Sequence, residues 1–169
     1  LDLLNLVEIR FAQWNAGTYY ISDIELHPSQ TLMLSISLPT EAKGGTNASV
    51  TLVDDSDKGE QVLSLEVLSN DGIDQGYASV PLSEVDLSQY QDLRFDMKDT
   101  QGSNTVFVTL VDNSGASWSA WTEASTVHNQ WETISFALSG ATGVDLTNIV
   151  EIRFAQWNAG IYFIADINL

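Results

Sequence analysis

The chain has 169 residues, a formal net charge of −17 and no cysteine. This length fits one domain of ordinary size plus a fragment of a second. Disulfides and thiolate chemistry are excluded. The excess of 23 Asp and Glu over 6 Lys and Arg repels phosphate backbones and anionic lipid, so neither nucleic acid nor a membrane is expected as a partner.

The first 26 residues contain a near copy of the last 25. Residues 2–26 (DLLNLVEIRFAQWNAGTYYISDIEL) and residues 145–169 (DLTNIVEIRFAQWNAGIYFIADINL) are identical at 19 of 25 positions. Self-similarity at a fixed offset indicates the repeating unit. We therefore expect residues 27–169 to form a complete module, and residues 1–26 to be the C-terminal hairpin of a preceding identical repeat or a strand donor. The alternative is one fold that uses two copies of a β-hairpin.

Short apolar and β-branched segments bounded by Gly, Asn, Asp and Ser recur along the chain, and no stretch has a period of 3.6. This pattern predicts an all-β protein, a two-sheet β-sandwich of the jelly-roll type. Ser83–Tyr90 fits a single helical turn. The predicted strands are Leu32–Leu38, Ala48–Val53, Val62–Leu68, Gly76–Pro81, Asp92–Lys98, Val106–Asp112, Trp131–Leu138, Val150–Trp157 and Tyr162–Leu169.

Several tryptophans are candidates for an exposed position. Alternation in Val150–Trp157 places Trp157 on the same face as Arg153. Trp118 and Trp121 lie in SGASWSAWTEAS, which offers few apolar partners, whereas Trp131 begins a cleanly alternating strand and is expected to pack. Flat aromatic rings stack on the C–H faces of sugars, and nearby polar groups bind the hydroxyls. The residues expected to bind a sugar are Trp118, Trp121, Arg153, Gln156, Trp157, Asn158 and Arg94.

The two arginines of this set allow two interpretations. A guanidinium binds a carboxylate or sulfate through two parallel hydrogen bonds, which would suit an acidic polysaccharide. The alternative is an ion pair within the protein, with Glu151 or Asp96 among the abundant acidic partners. The sequence leaves this choice open for Arg153 and favours the ion pair for Arg94.

Three segments resemble parts of a known family. The strand YFIADINL after a Gly-containing turn resembles the last strand of jelly-roll carbohydrate-binding modules, which are attached to secreted polysaccharide-degrading enzymes. The segments QWETISFAL and VTLVDNSGASW are similar to a Trp-led strand and a central strand with its loop in the same modules. The resemblance covers about residues 48–169. It implies a secreted, extracellular module that binds a polysaccharide through Trp118, Trp121 and Trp157.

The resemblance also implies a structural calcium ion. By this resemblance Asp166 would be one ligand, with Asp54 or Asp55 as a partner. Residues far apart in sequence can share one ion, because calcium takes six to eight oxygen ligands that need not be adjacent in sequence. By itself, the acidic segment VDDSDKGE is equally compatible with an ordinary turn.

Catalysis is not expected. Both histidines lie in loop-like segments, and neither G-x-S-x-G nor a metal-binding His pair occurs. We expect a tandem array of binding modules in which weak sites add by avidity, with neighbouring copies of the module as partners. The alternative function is a structural repeat of an extracellular adhesin or filament that assembles through shared strands.

Overall fold

The computed structural model describes residues 43–45, 47–68, 76–100, 105–123 and 128–169. The expectations for residues 1–26 and for the strand Leu32–Leu38 lie outside these ranges. No helix in the described part of the chain is long and apolar enough to cross a membrane. The described strands are β1 (Lys43–Gly44), β2 (Ala48–Asp55), β3 (Glu60–Val67), β4 (Gly76–Val85), β5 (Asp92–Asp99), β6 (Thr105–Asp112), β7 (Ser117–Glu123), β8 (Glu132–Ala137), β9 (Ile149–Gln156) and β10 (Gly160–Asn168).

These strands form two antiparallel sheets of five strands each. The first sheet has the order β1-β4-β9-β6-β7 and the second the order β2-β3-β10-β5-β8. Two short 3-10 helices, Leu138–Gly140 and Leu146–Asn148, precede β9. The predicted all-β, two-sheet sandwich is confirmed.

The core lies between the sheets because alternate side chains of each strand point inward. At its centre, Phe95 of the second sheet meets Phe154 of the first, with ring centroids 4.7 Å apart in an edge-to-face arrangement. Phe136 lies 6.2 Å from Phe95 on the neighbouring strand. Burial of this apolar surface is the main favourable contribution to folding. Other fully buried core residues are Leu63, Leu65, Val80, Leu93, Leu110, Ile152 and Tyr162.

The second copy of the repeated segment supplies the central strand of both sheets. β9 pairs with β4 and β6, whereas β10 pairs with β3 and β5. The two strands belong to different sheets, so this copy crosses the sandwich and is not a hairpin. The first copy lies outside the described residues.

Two details differ from the sequence prediction. β7 (Ser117–Glu123) was not expected as a strand, because its two tryptophans are three residues apart and therefore face opposite sides. Ser83–Tyr90 contains a single hydrogen-bonded turn but no helix: β4 continues to Val85 through an irregularity at Glu84, whose φ is 47°, and the Tyr90 N–H then donates to the Leu87 carbonyl at 3.1 Å. A strand interrupted in this way loses the alternation by which it would be recognised.

Candidate functional site

The outer side of the first sheet carries a row of aromatic side chains. The strand register places Tyr77, Ala155, Phe107 and Trp121 side by side across β4, β9, β6 and β7. Trp157 follows β9, and its ring centroid lies 5.7 Å from that of Phe107 at an interplanar angle of 70°. We call Tyr77, Phe107, Trp121 and Trp157 the aromatic face.

Exposure distinguishes the aromatic face from the core. Trp121 is 62% exposed and Trp157 is 45% exposed, whereas Phe107 is half-buried between them. Ala155 lies between Tyr77 and Phe107 in the row, and its small side chain is almost completely buried. A contiguous exposed apolar patch of this kind on a rigid sheet is typical of a binding surface.

A row of polar side chains lies beside the aromatic face. Each of its residues lies two positions along the strand from a residue of the aromatic row, on the same side of the sheet. The four are neighbours across β4, β9, β6 and β7: Ser79, Arg153, Thr109 and Ser119. The Thr109 and Ser119 hydroxyls share a hydrogen bond of 2.7 Å. The Arg153 guanidinium lies 5.5 Å from the centroid of the Tyr77 ring. Hydroxyl and guanidinium donors therefore stand next to flat apolar rings.

Arg153 is held by Glu151 from the same strand. Its Nε and Nη2 each donate to one carboxylate oxygen of Glu151 at 2.8 Å, and the Ser79 hydroxyl donates to the same carboxylate. The hydrogen bonds from Arg153 hold the pKa of Glu151 below its ordinary value, against the opposing effect of burial. The ion pair that the sequence left open is thus formed.

The other predicted sugar-binding residues are dispersed. Trp118 pairs with Leu110 and packs on the edge of the core. Gln156 is only 2% exposed and faces the interior, where its amide nitrogen lies 3.5 Å from a methionine sulfur. Asn158 is exposed in the turn after Trp157. Arg94 lies on the outer side of the second sheet and donates to Asp92 at 2.9 Å.

Of the predicted set, Trp121, Arg153 and Trp157 share the aromatic side of the first sheet. Gln156 does not, because consecutive residues of a strand face opposite sides and its neighbour Ala155 faces outward. Sequence reasoning missed Tyr77 and Phe107. Alternation within β6 would have predicted that Phe107 faces outward, since it lies between the core residues Val106 and Val108.

Two of the three acidic residues expected to bind calcium, Asp55 and Asp166, are paired with lysines. Asp55 binds Lys98, Asp166 Oδ2 lies 2.5 Å from Lys58 Nζ, and Asp54 is exposed at the end of β2. Within the described ranges, no three His, Asp or Glu side chains are grouped so that they could hold a metal ion.

No protein-family model matches the chain, and no curated protein matches it. Among solved structures, the family 11 carbohydrate-binding module of Clostridium thermocellum, in complex with a β-1,3-1,4-mixed-linked tetrasaccharide, is similar with a TM-score of 0.57 and 20% identity. That match covers 80% of this chain and 92% of the module. The family 30 module of a Clostridium thermocellum cellulosomal cellulase gives a TM-score of 0.56 and 20% identity, over 75% of this chain and 87% of the module.

The chain shares the β-sandwich fold of these carbohydrate-binding modules. An exo-β-agarase is similar with a TM-score of 0.62 and 15% identity, over 80% of this chain but only 24% of the enzyme. The chain thus spans about a quarter of the length of this enzyme and nearly the whole of the binding modules. The predicted resemblance is confirmed at the level of the fold.

The Glu151–Arg153 pair predicts how stability depends on pH. Because the folded-state pKa of Glu151 is depressed, its charge stabilises the folded state above the ordinary value of 4.5, and this contribution is lost as the pH falls through the depressed value. Hydrogen bonds to charged groups contribute about 1.5–3 kcal/mol. We expect Glu151→Gln to lower the melting temperature at pH 7 by several degrees, and the difference from the unaltered chain to shrink below pH 4.5.

Asp92→Asn is the matched control, because Asp92 stands two residues before Arg94 as Glu151 stands before Arg153. The Arg94 pair is more exposed and has one hydrogen bond, so its removal is expected to change the melting temperature little. A difference for Glu151→Gln that is constant from pH 7 to pH 3 would contradict the prediction.

Proposed function

We propose that the aromatic face binds a polysaccharide, and that the chain acts as a non-catalytic binding module of a secreted, extracellular protein. The observation that carries the proposal is the exposure of Trp121 and Trp157 beside fixed polar groups on one side of a rigid sheet. The fold shared with carbohydrate-binding modules supports it.

The aromatic and polar rows would divide the recognition of the sugar. Indole rings offer flat apolar surfaces to the C–H faces of the sugar rings. The Arg153 guanidinium, held by Glu151 and stacked near Tyr77, would present its remaining N–H groups to hydroxyl oxygens. Because these side chains are already fixed, little conformational entropy would be lost on binding.

The electrostatics of the face also favour binding over hydrolysis. A glycosidase needs a general acid whose pKa is raised above its ordinary value. Glu151, an acid beside the aromatic face, has its pKa shifted in the opposite direction by Arg153. It is therefore suited to position Arg153 and is a poor proton donor at neutral pH.

The ligand we propose is an uncharged polysaccharide. Arg153 is compensated by Glu151, so it does not offer a free positive charge to a carboxylate or sulfate. The chain as a whole carries −17 charges, which would repel a polyanion at low ionic strength. Stacking and hydroxyl recognition need no ligand charge.

We further propose that the module belongs to a tandem array. The two copies of the repeat keep every residue that β9 and its turn contribute to the outer side of the first sheet. These pairs are Glu8/Glu151, Arg10/Arg153, Ala12/Ala155 and Trp14/Trp157. Adjacent modules with equivalent faces would bind one polysaccharide chain with higher avidity than either face alone.

The stacking proposal predicts that Trp121→Ala and Trp157→Ala each weaken polysaccharide binding at least about tenfold, equivalent to about 1.4 kcal/mol. Isothermal titration calorimetry with a soluble oligosaccharide measures this loss. Leu68→Ala removes an exposed apolar side chain at the end of β3 in the second sheet and is expected to leave binding unchanged. Equal affinities for all variants would refute the proposal.

The choice of an uncharged ligand is tested by affinity electrophoresis on gels of agarose, mixed-linked β-glucan, xylan, alginate and polygalacturonate. We expect retardation by at least one uncharged polysaccharide, with little dependence on salt because no charge pair forms with the ligand. Arg153→Ala should abolish retardation and the matched Arg94→Ala should not. Salt-sensitive retardation by the acidic gels alone would contradict the proposal.

The array proposal predicts that Trp14→Ala weakens retention on a polysaccharide gel and leaves calorimetric affinity for a short oligosaccharide at the described face unchanged. Trp157→Ala should weaken both measurements. If Trp14→Ala changes neither, the first copy adds no site and the array proposal fails. Light scattering that rises with concentration in the absence of sugar would instead favour a structural repeat that assembles through shared strands.

A further inference from the structure

A second group of interacting side chains lies on the outer side of the second sheet. Lys58 Nζ lies 2.5 Å from Asp166 Oδ2 and also binds the Asp96 carboxylate. Lys98 Nζ binds Asp55. We call Lys58, Lys98, Asp55, Asp96 and Asp166 the lysine cluster. It contains two of the three lysines of a strongly acidic chain.

Trp131 lies against both ammonium groups of the lysine cluster. Its ring centroid is 4.9 Å from Lys58 Nζ and 4.8 Å from Lys98 Nζ, within range of favourable cation–π interactions. Its indole N–H donates to Asp55 at 3.4 Å. Each lysine is thus surrounded by carboxylate and aromatic groups.

Local sequence brings Lys58 to this place. The Asp55 carboxylate accepts the backbone N–H groups of Asp57 and Lys58 at 2.9 and 3.1 Å, and Gly59 has a φ of 71°. These features form the tight turn between β2 and β3, because an Asp side chain often closes a turn by binding backbone two residues on. The turn directs Lys58 toward β5 and β10.

The charges of the lysine cluster are matched where they are buried. Asp55 and Asp96 are largely buried, and each binds one largely buried lysine, whereas Asp166 is exposed to water. Burial opposes the charge of Lys58, but hydrogen bonds to Asp166 and Asp96 outweigh it and raise its pKa. An ion removed from water is tolerated only with such partners.

We propose that the ammonium groups of Lys58 and Lys98 take the place of the structural calcium ion that the family resemblance implies, so that the module is held together here by protein cations. The cluster joins the β2–β3 turn to β5 and to the last strand, β10. A divalent cation would join the same elements by bridging their carboxylates. The fit is poor for calcium itself, because Asp96 and Asp166 share an ammonium between them.

The test compares melting temperatures in EDTA and in millimolar Ca²⁺ for the full chain, Lys58→Met, Lys58→Gln and Asp166→Asn. For the unaltered chain we expect the same melting temperature in both buffers. Both Lys58 variants should melt about 5 °C lower or more in EDTA. Calcium should raise the melting temperature of at least one of them, because removal of the ammonium leaves neighbouring carboxylates free for a metal.

Lys43→Met is the matched control, since Lys43 lies on β1 in the other sheet and should change neither value. A calcium-dependent rise in the unaltered chain that Asp166→Asn abolishes would overturn the proposal. A rise that persists in Asp166→Asn would also count against it, because Asp55 and Asp96 of the cluster remain and no rise is expected in the unaltered chain. Lys58 variants that fold but whose melting temperature does not change with calcium would also overturn it. The carboxylates around the Lys58 ammonium would then not form a site that a metal ion can occupy.

Discussion

The position of β9 at the centre of one sheet and of β10 at the centre of the other is the constraint on which the rest of the structure depends. Each strand has a hydrogen-bonded neighbour on both sides, so the segment from Ile149 to Asn168 is bonded to four other strands and joins the centres of the two sheets through one short connection. Its inward residues are among the most completely buried in the chain. Loss of register in either strand would reverse which residues face the core.

The connection between β9 and β10 is fixed by a buried tyrosine. Tyr162 is inaccessible to solvent, and its hydroxyl donates to the backbone carbonyl of Asn158 at 2.9 Å. Burial raises the pKa of Tyr162 to about 12, so the hydroxyl stays protonated and keeps its donor. Asn158 directly follows Trp157. The core therefore anchors the turn that holds Trp157 against Phe107, and the geometry of the aromatic face follows from core packing.

How much the sequence predicts depends on whether the relevant signal is local. Alternation within one strand was sufficient to place Arg153 and Trp157 on one side, because the period of a strand is set by its own backbone. Predicting the row from Tyr77 to Trp121 requires the order of the four strands β4, β9, β6 and β7 in the sheet. β9 lies far from β4 and β6 in sequence, and no local pattern encodes their pairing. Strict alternation would put Asp166 on the same side as the buried Tyr162 and Ile164. An irregularity at Asp166, which has a φ of 47° beside a register shift, places it on the outer side, and Ile167 faces the core.

The differences between the two copies of the repeat are unevenly distributed over the two outer surfaces of the sandwich. The positions that differ between the copies correspond, in the second copy, to Thr147, Ile149, Ile161, Phe163, Ala165 and Asn168.

Four of the six differences fall on the outer side of β10, and none falls on the outer side of β9. At Phe163, whose ring lies 5.2 Å from Lys98 Nζ, the first copy has Tyr20, and Asp166 corresponds to Asp23. On the outer side of β9 and its turn, Glu151, Arg153, Ala155 and Trp157 are identical in the first copy, and Trp157 is the one member of the aromatic face that lies in the repeated segment.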